Sequence, residues 1–210
     1  MAKKVLSLNK IIFLILVICL ILLGALFFYR SHHPASTVQL TADNGVLFSA
    51  PREIRSFELM ATNQQKFTIN NLLNHWTLVF FGFTHCQTVC PTTLDMLKRA
   101  YTSLEPHYPN LQVVLISLDP ERDSLNHLRD YVLSFHRNFI GVTGDMGHLR
   151  QFQSQLNVFS TKSGDGKNYQ IQHTSSIFLI NPKGQWVGLL RYGMNPKQFI
   201  QAFEESMAFL

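Results

Sequence analysis

Apolar residues occur along this chain in three kinds of run. The first, Ile11 to Tyr29, is 19 residues long and uncharged. A helix needs roughly 20 apolar residues to cross the hydrocarbon core of a bilayer, whereas the apolar stretch of a cleaved signal peptide is roughly 7–15 residues. The run therefore predicts an uncleaved transmembrane helix. Cys19 inside it follows a bulky Ile18 and is followed by more apolar residues, so it reads as lipid-facing and not as a lipidation site. The second kind is short and continuous. Thr77–Phe83 and Leu111–Leu118 predict strands buried on both faces. The third kind recurs at helical spacing: Leu94, Leu97, Tyr101 and Leu104; Leu125, Leu128, Val132 and Phe135; Leu149, Phe152 and Leu156; Phe199, Phe203, Met207 and Leu210.

Shorter signals fill the gaps. Phe57–Met60 and Lys66–Ile69 predict strands around a polar turn at Asn63-Gln64-Gln65, and Phe139–Val142 predicts another. Asp145 is placed to cap the helix after it. Ser163–Lys167 predicts a flexible turn or hairpin tip. Ser176–Ile180 and Trp186–Leu190 flank Asn181-Pro182-Lys183-Gly184 and predict an antiparallel pair. Pro91 suits the first position of one helix, and Asn195-Pro196 opens the last. Strand–helix alternation followed by a hairpin and a helix implies an α/β fold, a mixed sheet with helices on both faces. It fits a thioredoxin-like domain preceded by one N-terminal transmembrane helix. The expected organisation is a short N-terminus (1–10), an anchor (11–29), a tether (30–50) with weak periodicity, and a folded domain (51–210).

Charge supports that division. The formal charge is +5, a value that raises nucleic acid as a partner. However, Lys3, Lys4, Lys10 and Arg30 flank the apolar run, and the other 14 basic residues face 13 acidic ones. No basic patch suited to phosphates is left. Three lysines before the run and one arginine after it put the N-terminus in the cytoplasm. Residues 31–210 then lie across the cytoplasmic (inner) membrane, in the periplasm of a two-membrane bacterium, where disulfides are permitted.

Two cysteines remain in that folded part, Cys86 and Cys90. A disulfide between them would close almost no loop and add little stability, so redox chemistry or metal binding is the better use of the pair. They follow a buried strand and meet the start of a helix, where backbone N–H groups and the dipole lower thiol pKa values. C-x-x-x-C has one residue more than the C-x-x-C of disulfide oxidoreductases; it still permits a disulfide and leaves more room for an ion. A third ligand must come from elsewhere. In thioredoxin-like folds the loop entering the strand at Ser176–Ile180 faces the cysteine pair, and His173 lies on it. His85, adjoining Cys86, is the alternative. Two thiolates and an imidazole form a soft set that favours Cu(I) and, with a further ligand, accommodates Cu(II). Structural zinc usually has four protein ligands. Asp119 closes the second buried strand at the same edge; it reads equally as an acceptor or partner-facing charge near the site, or as a turn-forming Asp-Pro paired with Arg122.

The segment Phe81-Gly82-Phe83-Thr84-His85-Cys86-Gln87-Thr88-Val89-Cys90-Pro91-Thr92-Thr93-Leu94 resembles the signature of the Sco/SenC family. So do Ser117-Leu118-Asp119-Pro120-Glu121-Arg122-Asp123 and His173-Thr174-Ser175. The resemblance covers about residues 50–210. It implies an anchored copper-binding protein that assists assembly of the CuA centre of cytochrome c oxidase, with metal ligands Cys86, Cys90 and His173. It also implies two partners, a copper donor protein and the copper-bearing subunit of the oxidase. Gln87-Thr88 stand where the family often has Pro-Asp, which loosens the loop and removes a carboxylate from beside the sulfurs.

Two functions compete. One is a copper chaperone acting by ligand exchange; the other is a thiol–disulfide reductase that uses Cys86 and Cys90 as a redox-active pair on the cysteines of an oxidase copper site or of other periplasmic proteins. Thr174-Ser175-Ser176 occupy the region where reductases of this fold carry a cis-proline, a departure compatible with a metal site. A thioredoxin-like peroxidase is disfavoured, and a redox or copper sensor stays open.

Overall fold

The structure, a computed structural model, describes residues 8–32, 37–39, 44–164, 166 and 168–210. Residues up to Ser36 form one unit and those from Thr37 another. The described residues of the first form the helix α1 (Leu8–His32), 25 residues long, about 37 Å at the ordinary helical rise. Its described apolar side chains, including Phe13, Leu16, Leu20 and Leu23, are exposed. Among the described residues, no helix meets the joint length and hydropathy of a membrane span. The flanking Lys3 and Lys4 lie outside the described residues.

The second unit is built on a nine-stranded mixed sheet. Its strands are β1 (Thr37–Gln39), β2 (Gly45–Glu53), β3 (Glu58–Ala61), β4 (Lys66–Thr68), β5 (Trp76–Gly82), β6 (Leu111–Ser117), β7 (Ile140–Thr143), β10 (Ile177–Ile180) and β11 (Gln185–Leu190). Their spatial order is β1-β2-β11-β10-β5-β6-β7-β3-β4. β5, β6 and β7 run parallel, and the other neighbours are antiparallel. A separate hairpin pairs β8 (Ser160–Ser163) with β9 (Gln170–His173). The helices are α2 (Val89–Leu104), α3 (Leu125–Phe135), α4 (Met146–Gln155) and α5 (Pro196–Phe209).

The expected core elements are present and close to their expected bounds. β6 is buried along its whole length, and β5 from Thr77 onward. Alternation along β5 sends Gly82 to one face and Phe81 to the other. The Gly82 face looks onto Cys90 of α2; Phe81 packs on Phe152 of α4, ring centroids 6.0 Å apart. Helices therefore cover both faces. Asp145 caps α4 through the N–H groups of Gly147 and His148, and Asn195 forms a capping box with Gln198 at α5.

Four features differ from expectation. The sheet begins within the stretch read as a tether, because β2 covers the open edge of β11 and buries Leu47 and Phe48. Arg52 then lies over Phe48 (3.7 Å) and Trp186 (5.0 Å), a cation–π clamp that closes this edge. α2 starts two residues before Pro91, which occupies its third position. Leu210 is exposed, not inward, since α5 ends at Phe209. The loop before β10 holds a strand, β9, and His173 is its last residue; the tip residues Asp165 and Lys167 lie outside the described residues.

The β2–β11 junction makes a stability test. A Cβ on Gly188 would sit 2.5 Å from the carbonyl oxygen of Val46 and 2.7 Å from Leu47 Cδ2. That backbone cannot yield without breaking the ladder, so Gly188→Ala is expected to destabilise the domain by about 1–3 kcal/mol. A lowered urea midpoint checks this; an unchanged midpoint contradicts the close approach.

Candidate metal centre

The cysteine loop leaves β5 at Phe83 and enters α2 at Val89. The N–H of Cys86 donates to the Phe83 carbonyl (3.2 Å), and Leu118 N–H donates to the Gly82 carbonyl (2.8 Å). Asp123 fixes the loop from below: its buried carboxylate accepts from Thr84 N–H (3.0 Å), from the Thr84 hydroxyl and from the Ser117 hydroxyl. Asp119, four residues earlier, is equally buried.

Cys90 is fully buried and Cys86 partly so; neither is in a disulfide. Cys90 is the second residue of α2, and its N–H donates to Cys86 Sγ at 3.4 Å. The room for its sulfur is made by Gly82, where an added Cβ would approach Cys90 Sγ at 3.0 Å and Leu115 Cδ1 at 3.2 Å. The expectation of a lowered thiol pKa fails at Cys90. Burial pushes this thiol well above its ordinary range, and the hydrogen bond with Cys86 adds to the rise. The depth of the thiol outweighs the helix N-terminus.

His173 comes to the same place from 83 residues away, with its Nε2 3.9 Å from Cys90 Sγ. The ring stands edge-on to Phe80 and Phe83, each with centroids 6.2 Å away. Nδ1 lies 2.9 Å from the Thr174 carbonyl oxygen, which accepts only from a protonated Nδ1–H. The tautomer is thereby set, and the free lone pair is on Nε2, facing the thiol. Burial lowers the pKa of His173 and so favours its neutral form. His85 is directed elsewhere, its Nδ1 3.0 Å from Thr84 Oγ1 and 3.6 Å from Asp123.

The hairpin carrying His173 is latched to the end of β6. Tyr169 donates its hydroxyl to Asp119, Arg122 Nε donates to the same carboxylate, and Arg122 Nη1 donates to the Tyr169 carbonyl (3.1 Å). The Arg122 guanidinium lies 3.7 Å from the Tyr169 ring centroid, and Lys162 pairs with Glu121 (2.8 Å). Asp119 therefore does not face a partner. It pairs with Arg122 and, through Tyr169, positions the hairpin. Its neighbour Asp123, which organises the cysteine loop, carried no signal in the sequence beyond its place in the Ser117–Asp123 motif.

A cysteine pair at a strand–loop–helix turn, with an imidazole brought beside it from the hairpin that precedes β10, fits a thioredoxin-like protein. The SCO1/SenC family pattern matches residues 48–208, and the chain belongs to that family. It is 32% identical over 156 residues to the mitochondrial protein SCO2 homolog of Danio rerio, covering 72% of this chain and 56% of that protein, little over half its length. Among solved structures it resembles Arabidopsis thaliana ScoI with copper bound (26% identity, TM-score 0.70, 74% of this chain and 98% of that one). It likewise resembles yeast Sco1 with copper bound (28% identity, TM-score 0.69, 76% and 91%).

The raised Cys90 and the lowered His173 both favour uncharged forms. In an unfolded chain the thiol ionises near pH ~8.5 and the imidazole near ~6.5. The reduced, metal-free protein thus holds this stabilisation between about pH 6.5 and 8.5, losing it as pH rises above or falls below that window. The urea midpoint is expected to fall above about pH 9, and to fall less in Cys90→Ala. An identical alkaline decline in both proteins contradicts the assignment.

Proposed function

We propose that this protein is a membrane-anchored copper chaperone that holds Cu(I) between Cys86, Cys90 and His173. It passes the ion to the copper-bearing subunit of cytochrome c oxidase for assembly of the CuA centre. The observation that carries this reading is the pairing of a buried thiol with a tautomer-fixed Nε2 3.9 Å away, beside a second sulfur at the loop surface. Two sulfurs and a neutral imidazole suit Cu(I), and the Arabidopsis and yeast relatives were solved with copper bound.

The three ligands divide the work. Cys90 is the inner ligand and must release its proton when the ion binds, so affinity rises with pH. His173 supplies a lone pair without proton loss. Cys86, partly exposed, is the sulfur that an acceptor's ligand reaches first, so exchange begins there. α1 is the anchor in this reading. Its sequence run of 19 uncharged residues matches a bilayer span, and the lysines before it favour a cytoplasmic N-terminus with the copper domain in the periplasm. A copper donor protein supplies the ion. The second reading, a thiol–disulfide reductase of the same acceptor, uses the same sulfurs, and the exposure of Cys86 is what favours it.

His173 separates the two. Reduced full-length protein in detergent is expected to retain about one Cu(I) per chain under anaerobic competition with a chromophoric chelator. His173→Ala is expected to weaken retention at least ~10-fold while leaving exchange with a small disulfide within about twofold. Unaltered copper affinity in the variant removes His173 from the ligand set. Weak binding by the parent protein with fast disulfide turnover favours the reductase.

A further inference from the structure

Beside the cysteine loop, and using neither thiol, two imidazoles and a carboxylate meet around Thr84. His85 Nδ1 and His127 Nε2 each lie 3.0 Å from Thr84 Oγ1, whose hydroxyl donates to Asp123 Oδ1. His85 Nδ1 is 3.6 Å from Asp123 Oδ1, the two rings are 5.8 Å apart, and all three donor atoms lie within 4.8 Å of one another. The copper reading gives no role to His127, a residue of the first turn of α3, where Ser124 caps its N–H.

We propose that His85, Asp123 and His127 form a second metal site, for a divalent transition-metal ion of borderline softness such as Zn(II) or Cu(II). The donor set carries the assignment: two imidazole nitrogens and one carboxylate oxygen suit such ions, and the set lacks the thiolates that select Cu(I). Three protein ligands leave a fourth position open for water, as in catalytic zinc sites. The donor atoms, within 4.8 Å of one another, must draw closer around an ion, and one pair is already near the required spacing. Donors around a tetrahedral ion with bonds of roughly 2.0–2.1 Å are roughly 3.3 Å apart, close to the His85–Asp123 separation. Asp123, 1% exposed, is held by Thr84 N–H and Ser117 and stays in place. His85 and His127 are exposed, and their rings close the remaining distance by rotation. The Thr84 hydroxyl then stands behind the ion as a hydrogen-bond donor to the Asp123 carboxylate, an orienting role typical around metal ligands. The chain would thus carry a soft site and a borderline site on one loop, since His85 directly precedes Cys86.

The test uses reduced full-length protein in detergent with one equivalent of Cu(I) already bound, titrated anaerobically with Zn(II) against a chromophoric competitor. One Zn(II) per chain is expected. His127→Ala and, separately, His85→Gln are expected to weaken it at least tenfold with Cu(I) stoichiometry unchanged. His148→Ala, which removes an exposed histidine paired with Asp145 on α4, is expected to change nothing. With Cu(II) as probe, electron paramagnetic resonance is expected to show two coupled nitrogens in the parent protein and one in His127→Ala. Failure to take up Zn(II), equal affinity in His127→Ala, or an equal loss in His148→Ala overturns the site and leaves Thr84 as a hydrogen-bond hub only.

Discussion

The site depends on keeping a thiol uncharged inside the protein while leaving it in line with a ligand partner. Cys90 Sγ is buried under α2, against the space left by Gly82, with His173 Nε2 3.9 Å away. A thiolate there, without a cation, would bear the full cost of desolvation. The fold accordingly favours the neutral thiol and the neutral imidazole when no ion is bound. In the proposed copper site an arriving soft cation would displace the Cys90 proton, a coupling that would tie metal affinity to pH.

Much of the surrounding structure serves to bring these two groups together from 83 residues apart. The two aspartates of one short segment share the task. Asp123 holds the cysteine loop through Thr84, and Asp119 holds the histidine hairpin through Tyr169 and Arg122. Both are buried at the end of β6, the central parallel strand beside β5. Ser117 links them, donating its hydroxyl to Asp123 and accepting the N–H of Asp119. The end of one strand is thus the common frame for both halves of the proposed donor set, and disturbing either carboxylate is expected to displace a cysteine or the histidine without touching it.

What could be read in the sequence followed from strong local signals. β5 and β6 stand out as continuous apolar runs because both faces are covered, and α2 to α5 as stripes because one face is. The cysteines at the β5–α2 junction were legible for the same reason. β2 was not, since it mixes Pro51, Arg52 and Glu53 with two buried apolar residues and is a strand only because β11 offers it an edge. β9 was hidden because Gln170, Gln172 and His173 give no apolar run. The pKa direction at Cys90 was misread because helix position is visible in sequence and depth is not. The Thr84–Asp123–His127 cluster is purely tertiary: it joins residues 84 and 127 across a loop and a helix that share no sequence pattern.

The central claim is that Cys86, Cys90 and His173 act as one donor set. Copper K-edge X-ray absorption of the full chain loaded with one Cu(I) tests it most directly, because it counts the atoms around the ion. Two sulfur scatterers and one imidazole nitrogen per copper are predicted, with the nitrogen contribution lost in His173→Ala. Two sulfurs alone in the parent protein, or a first shell made only of nitrogen and oxygen, would contradict it.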